Sequence, residues 1–485
     1  MSLPAATTVL GDCTAASIQA AHDAASNGDT IELPACSQTI QTEIDISTGV
    51  HIRGRGCGRT QLTFDPQAGG TRLFDITATN GQGYQISGLQ LIEGSGIAAN
   101  CSGDCELIRI QGHARDPIFR VNDNCVTGDH TDRFVAHYNS WIYSLIDHNY
   151  TESGGGQFVY VDHDLWGGVE DFGDGSWSAA DNLGSADRVI LESNTVTGDG
   201  SQFGLTDGHE GARITARYNV CRGGCTSQSH GTESGGEARG LRSLEIYNND
   251  FDCDSPCSLT ECVLYRSGSG VVTANSCDGT YNKLVNMSSY RLFFEFNNWE
   301  GADGTKLWDT NDATGVFDSG THDGGNGAAI LTDSGESWTT NEWVDYVLLN
   351  TTQGHSSWIQ SNTATTITFA GASGFTSTSQ PAGDMTFDTG DSWEIRRVTQ
   401  SIDQPGAGSS DVPTRPLGAS EDLSQGIEGI YIWSNTGSVT TIDALVPGID
   451  LSSDYFTSAK SGWTALLYPH ASTGLGAGNG GVQFP

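Results

Sequence analysis

The densest run of groups able to move protons or carry charge lies between Asp207 and Arg242. Asp207, His209, Glu210, Arg213 and Arg217 come first, and His230, Glu233, Arg239 and Arg242 follow. Two chemistries use such a set. Cleaving a uronate polymer by β-elimination needs a cation to neutralise the sugar carboxylate, a base for the C5 proton and an acid for the leaving oxygen. Arg213 or Arg239 are candidates for the cation, and His230 for the base or the acid. Hydrolysis instead needs two carboxylates, about 5.5 Å apart or about 6.5 to 9.5 Å apart, for which Asp207, Glu210 and Glu233 are candidates. Arg242 joins these as a candidate catalytic residue. The alternative is structural: arginines and glutamates stacked between neighbouring turns of chain also satisfy one another as ion pairs.

A second constellation lies in a glycine-rich stretch from Asp162 to Asp187, which carries Asp162, His163, Asp164, Trp166, Glu170, Asp171, Asp174 and Trp177. Tryptophan beside carboxylates is a way to stack on a sugar ring while bonding its hydroxyls, so Trp166, Trp177, Asp162 and Asp164 are candidate substrate-binding residues. Acids in a loop are also of the kind that take Ca²⁺, a hard ion that prefers oxygen. Asp162-His163-Asp164 fits no EF-hand spacing, so no metal site is assigned from the sequence, and Ca²⁺ is the one cofactor to test. The alternative is a solvated loop whose tryptophans pack on the body of the protein.

These residues must be positioned by a repeating frame. Strand-like runs end in asparagine at positions 124, 149, 194, 219, 249, 275 and 298, at intervals of 25, 45, 25, 30, 26 and 23 residues. A period of about 25 is one turn of a parallel β-helix, and the longest interval is one turn plus about 20 inserted residues. Each turn is too small to bury its inward residues alone, so stacking supplies both the core and the strand hydrogen bonds. Asparagine suits a corner because it tolerates left-handed backbone and bonds to its neighbours. An amphipathic segment from Ala15 to Ser26, with Thr14 placed to cap it, is expected as a short helix covering the open first turn. Residues one turn apart lie about 4.8 Å apart, so the two halves of the Asp207–Arg242 cluster are expected on one face.

The pattern breaks after Trp299. The segment 305–398 is rich in Thr, Ser and Trp with alternating runs such as Tyr346-Val347-Leu348-Leu349-Asn350, and reads as an inserted antiparallel β module. Its Trp308, Trp338, Trp343, Trp358 and Trp393 are expected to fill its core. The organisation is therefore 1–304 for cap and β-helix, 305–398 for the module, and 399–485 for the last turns, where Gly429-Ile430-Tyr431-Ile432-Trp433-Ser434-Asn435 repeats the corner signature.

Composition narrows the partners. The chain of 485 residues has 59 acidic against 22 basic side chains, a formal charge of -37. Such a field repels nucleic acid and anionic lipid, and it opposes a bare polyanion unless a divalent cation or a local arginine patch reverses the sign. No apolar run is long enough to span a membrane. Twelve cysteines without a C-x-x-C pair favour structural disulfides over zinc, and disulfides imply an oxidising compartment. Met1 to Leu10 lack the basic and apolar regions of a signal peptide, which leaves either a mature form with a new initiator Met or export by another route, such as release of virus particles by lysis.

Three stretches carry a resemblance. Ile18-Gln19-Ala20-Ala21 with Gly28-Asp29-Thr30-Ile31-Glu32-Leu33-Pro34 resembles the N-terminal cap and first strand of the pectate-lyase-like superfamily of right-handed parallel β-helices. Gly211-Ala212-Arg213, His230 to Gly236, Arg239 to Arg242 and Glu245 to Asn249 resemble a group of β-helix proteins from environmental bacteria and viruses, as does Trp463 to His470. The resemblance implies an all-β, right-handed parallel β-helix that meets carbohydrate; the superfamily holds lyases, hydrolases, esterases and virus tail spikes, so it implies no single reaction. No polygalacturonase-type Asn-Thr-Asp, Asp-Asp and Arg-Ile-Lys set is present, and only three lysines, Lys283, Lys306 and Lys460, occur. The expectation is an extracellular protein, secreted or on a virion, that binds a polysaccharide, with lyase- or hydrolase-type cleavage left open by the sequence. The alternative is a non-catalytic adhesin or tail-spike protein bound to surface glycan, for which a homotrimer is the usual state.

Overall fold

In the computed structural model the described residues are 5–66, 71–79, 81–97, 105–112, 118–128, 133–140, 144–152, 156–163, 183–198, 203–209, 211–231, 240–253, 259–288, 316–344, 346–369, 385–396, 405–406, 428–444, 449, 451–452 and 454–470. Strand makes up 52% and helix 3%. The main body is a parallel β-helix with three faces. The first face is a twelve-stranded sheet running from Thr7–Val9 through Val189–Glu192, Arg213–Arg217, Ser243–Tyr247 and Ser269–Thr273 to Ile430–Trp433 and Tyr455–Phe456. The second has nine short strands, Cys36–Ile40 to Ser276–Gly279, and the third has ten, Ile44–Ile46 to Ile442–Ala444. Inward side chains of all three faces merge into one continuous apolar core, with Ile31, Leu62, Phe74, Val121, Val159, Ile214, Phe251 and Val285 fully buried.

The corner between the first and second faces is only a few residues long, and there the asparagines stack. Each Nδ2 donates to the next Oδ1 along the axis: Asn124 to Asn149 at 3.0 Å, Asn149 to Asn194 at 3.0 Å, Asn194 to Asn219 at 2.9 Å, Asn219 to Asn249 at 3.0 Å and Asn249 to Asn275 at 3.0 Å. The left-handed residue is not the asparagine but the one before it: Asp123, His148, Ser193, Tyr218, Asn248, Ala274 and Ser434 all have φ between 53° and 57°. That kink turns the chain through the corner and leaves the asparagine side chain pointing inward, where its amide satisfies backbone groups of two turns. Asn298 lies outside the described residues.

The helix spans Ala15–Asp23, three residues shorter than expected, with Thr14 Oγ1 accepting from Ser17 N at 3.2 Å. It closes the first turn by burying Ile18 and His22, whose Nε2 accepts from the backbone N–H groups of Ser47 and Thr48. Six strands between Val316 and Arg396 form a separate antiparallel sheet. Its own core holds Trp338 and Trp393, with Trp343 packed against it, while Trp308 and the Trp358 side chain lie outside the description. The β-helix resumes beyond this module: Ile430–Trp433 pairs with Ser269–Thr273, and Asn275 donates to Asn435 at 3.0 Å, so the ladder continues across 160 residues of chain.

Disulfides join Cys13 to Cys36, Cys57 to Cys125, Cys221 to Cys225 and Cys262 to Cys277. Cys105 and Cys253 are also disulfide-bonded. The segment after Lys460 has no cysteine and is held by polar bonds along the outside of the first face. Trp463 Nε1 donates to Glu245, Arg217 donates to the carbonyls of Leu466 and Leu467, Tyr468 lies 3.9 Å from the Tyr218 ring, and His470 N donates to Glu192 at 3.0 Å. No helix among the described residues is long and apolar enough to cross a membrane.

Candidate active site

Outward positions of the third face alternate with core positions, so in-register stacking lines up one outward side chain from each turn. In the strand Phe203–His209, Gly208 faces the core, where a Cβ would meet Leu241 and Ile214, and Asp207 and His209 on either side point outward. The preceding strand, Gly156–Asp162, sets Tyr160 opposite Asp207 and Asp162 opposite His209. The following strand, Thr226–Ser229, sets Gln228 opposite Asp207. His230 comes one residue after that strand, with its N–H bonded to Gly208 O, and its ring stacks on His209 at 4.0 Å between centroids and 17° between planes.

Asp207 is the centre of this group. Gln157 Nε2 donates to its Oδ2, and Gln157 Oε1 in turn accepts from Arg133 Nε at 2.9 Å. His209 Nε2 lies 3.5 Å from Oδ1 and His230 Nε2 3.8 Å from Oδ2. Asp207 is 1% exposed, and its Oδ1 has no hydrogen-bond donor among the described residues. The aromatic stack continues down the face: Tyr160 lies 4.8 Å from His209 and 5.2 Å from Tyr138. Arg133 sits over the Tyr160 ring at 3.7 Å, and Arg109 over Tyr138 at 4.8 Å.

Electrostatics separate the roles. Burial is the largest influence on His230 and pushes its pKa well below the ordinary value; His209, Arg266 and Arg133 add to this and Asp207 only partly opposes it. The imidazole is therefore neutral near pH 7 and able to accept a proton. Burial works on Asp207 in the upward direction, but His230, His209 and Arg266 outweigh it and hold the carboxyl below its ordinary range, so it is ionised. Arg266 reaches this centre from the next turn, donating to Ser229 O and Gln228 Oε1. The arrangement thus brings a proton acceptor, an anion and guanidinium groups together on the outer side of the third face.

Only part of the Asp207–Arg242 cluster shares this face. Asp207, His209 and His230 come together and Asp162 borders them, whereas Arg213 and Arg217 lie on the first face. The reason is the corner after His209: Gly211 and Ala212 turn the chain, and Arg213 begins a strand of the neighbouring sheet. Arg213 is fully buried, donates to Gly211 O at 2.8 Å and acts on the charge of His163 rather than on Asp207. Arg217 pairs with Glu192 at 2.5 Å beneath the C-terminal segment, and Arg242 is buried in the turn before Ser243–Tyr247. Arg213, a sugar-neutralising candidate from the sequence, and Arg242 thus stand at buried corner positions away from Asp207, and Arg217 stands in a buried ion pair. Glu210, Glu233, Arg239, Asp164, Trp166 and Trp177 lie outside the described residues. Gln157, Tyr160, Tyr138, Arg133, Arg109 and Arg266 were missed in the sequence. The signal was there in the register: each is an outward residue of a third-face strand or its end, but the asparagine signature marks only the strands of the first face.

Comparison of the chain with protein-family models, with curated proteins and with solved structures finds no match, so the parallel β-helix and the geometry of its third face carry the functional argument.

Proposed function

We propose that the chain is an extracellular, carbohydrate-acting β-helix protein of the pectate-lyase-like kind, which grips an acidic polysaccharide along its third face and cleaves it by β-elimination at Asp207, His209 and His230. One observation carries this reading: in a chain of net charge -37, the third face gathers Arg109, Arg133 and Arg266 with Tyr138, Tyr160 and two imidazoles in one stripe. The guanidinium groups suit the carboxylates of a uronate polymer. The local arginines supply the reversal of sign that an acidic substrate needs on an acidic protein.

In the elimination, Arg133 and Arg266 neutralise the uronate carboxylate and so stabilise the charge that develops at C5. The neutral imidazole of His230 takes the C5 proton, and Asp207 stabilises the imidazolium that forms. The C4–O4 bond then breaks as the C4–C5 double bond forms, with the leaving oxygen protonated from the Tyr160 side or by solvent. The disulfides fit an oxidising compartment.

The test is incubation of the purified protein with acidic and neutral polysaccharides, with and without Ca²⁺, following unsaturated uronates by ultraviolet absorbance and reducing ends in parallel. Unsaturated product that disappears in His230→Gln, with binding retained, supports the mechanism. Reducing ends without that absorbance mean hydrolysis. Binding that falls in Arg133→Ala but is never followed by release leaves a non-catalytic glycan-binding adhesin or tail spike, and failure to bind any acidic glycan ends the reading.

A further inference from the structure

We infer that Asp207, His209 and His230 form a binding site for a divalent transition-metal ion of the zinc type. The inference concerns these three side chains alone and does not depend on the polysaccharide reading.

The geometry is that of ligands around an ion rather than of a hydrogen-bonded triad. One donor atom from each residue can be chosen so that all lie within 4.8 Å of one another. The two imidazole-to-carboxylate separations, 3.5 and 3.8 Å, exceed a normal hydrogen bond. Metal bonds of about 2.0 to 2.1 Å in a tetrahedral site set ligand atoms about 3.3 Å apart, so an ion held by all three draws them in from separations of at most 4.8 Å. A second observation is independent of the clustering: Asp207 is almost wholly buried, yet its Oδ1 has no donor at normal hydrogen-bond geometry among the described residues, the nearest imidazole nitrogen, His209 Nε2, standing 3.5 Å away. A buried carboxylate oxygen left this way costs stability unless a cation or donor occupies the space before it.

The chemistry of the donors selects the ion. Two imidazoles and one carboxylate suit Zn²⁺, Co²⁺ or Cu²⁺, while Ca²⁺ and Mg²⁺ prefer all-oxygen sets. Arg133 and Arg266 act on the same centre and oppose any cation, which further disfavours ions that imidazole does not hold strongly. Gln157, bonded to Asp207 Oδ2 and anchored by Arg133, fixes the carboxylate as an outer partner. His230 is the outermost of the three, with 17% of its side chain exposed. The bound ion occupies imidazole lone pairs, so metal loading and proton acceptance by His230 exclude one another.

The experiment uses the full chain stripped with chelator and no polysaccharide. Zn²⁺ is titrated calorimetrically and Co²⁺ by its visible d–d absorption, with Ca²⁺ as the contrasting ion. The expected result is one Zn²⁺ per chain, a Co²⁺ spectrum of low-coordinate N/O type and no Ca²⁺ uptake. His209→Gln and Asp207→Asn are expected to weaken Zn²⁺ binding about a hundredfold, and Gln157→Leu, which leaves all three ligands in place, about tenfold. Far-ultraviolet circular dichroism verifies that each variant keeps its strand content. No uptake by the native chain overturns the inference, as does uptake that is equally tight in His209→Gln and Gln157→Leu. If Zn²⁺ binds but no glycan does, the metal site stands and the polysaccharide reading fails; if glycan is cleaved and Zn²⁺ never binds, the reverse holds.

Discussion

Replacing Asn219 by alanine tests whether the asparagine ladder holds the turns together. Asn219 Oδ1 accepts from Asn194 N at 3.0 Å and from Asn194 Nδ2 at 2.9 Å, while its Nδ2 donates to Leu191 O and Asn249 Oδ1. Asn194 Nδ2 keeps a second acceptor in Ile146 O, and Asn249 Oδ1 keeps the Asn219 N–H. The buried Asn194 N–H loses its partner, while the Leu191 carbonyl loses its side-chain donor and keeps its place in the strand ladder. At about 1 to 3 kcal/mol for the buried group left unsatisfied, together with the side-chain hydrogen bonds lost, the change costs about 3 kcal/mol. In a solenoid each turn contacts only its neighbours, so the loss is expected to be local. Amide hydrogen exchange around Asn194, Asn219 and Asn249 should quicken on the order of a hundredfold, with distant turns unchanged. Asn435→Ala is the control: Asn435 is half-exposed, water can replace its side chain, and the expected cost is about 1 kcal/mol. Equal effects at the two positions, or less than threefold faster exchange at Asn194, would refute the argument that buried amide satisfaction is what the ladder supplies.

Arg217→Ala leaves Glu192, 1% exposed, without its ion-pair partner, and breaking such a pair costs about 3 to 5 kcal/mol. Because Arg217 also holds the Leu466 and Leu467 carbonyls, the C-terminal segment should become cleavable by limited proteolysis and Trp463 fluorescence should shift to longer wavelength; unchanged protection and an unchanged Tm would count against the buried pair as its anchor. Stability should also fall in mild acid. Burial holds His137 down to about 3 and His51 to about 4, and pushes His163 and His230 well below 6.5. The unfolded chain therefore binds protons that the folded chain refuses: this contribution is fully present above about pH 6.5 and is lost as pH falls toward the folded values, by about 1.4 kcal/mol per pH unit for each histidine titrating. Denaturation midpoints that stay level from about pH 7 to about pH 5 would contradict this sign, and His137→Gln should flatten the slope by one proton.

What the sequence determined by itself is the repeating frame. The 25-residue interval, the Asn corners from Asn124 to Asn275, the return at Asn435 and the capping helix are all local signals, because each rests on residues a few positions apart. The separate antiparallel module was legible for the same reason, through alternating runs and a change of composition. The site was legible only in part. Asp207, His209 and His230 were visible as reactive types one turn apart, but nothing local says that two residues, Gly211 and Ala212, turn the chain and send Arg213 and Arg217 to another face. Period-two alternation tells which residues share a side of one strand, and it does not tell which of three faces that strand joins. The tertiary structure decided that Arg109 and Tyr160 stand in the same row as Asp207, with Arg133 and Tyr138 in neighbouring rows, because only in-register stacking of successive turns brings together residues so far apart in the chain. It decided likewise that Cys57 pairs with Cys125 across 68 residues, and that the segment around Trp463 to His470 covers Arg217 and Glu192 from the far end of the chain.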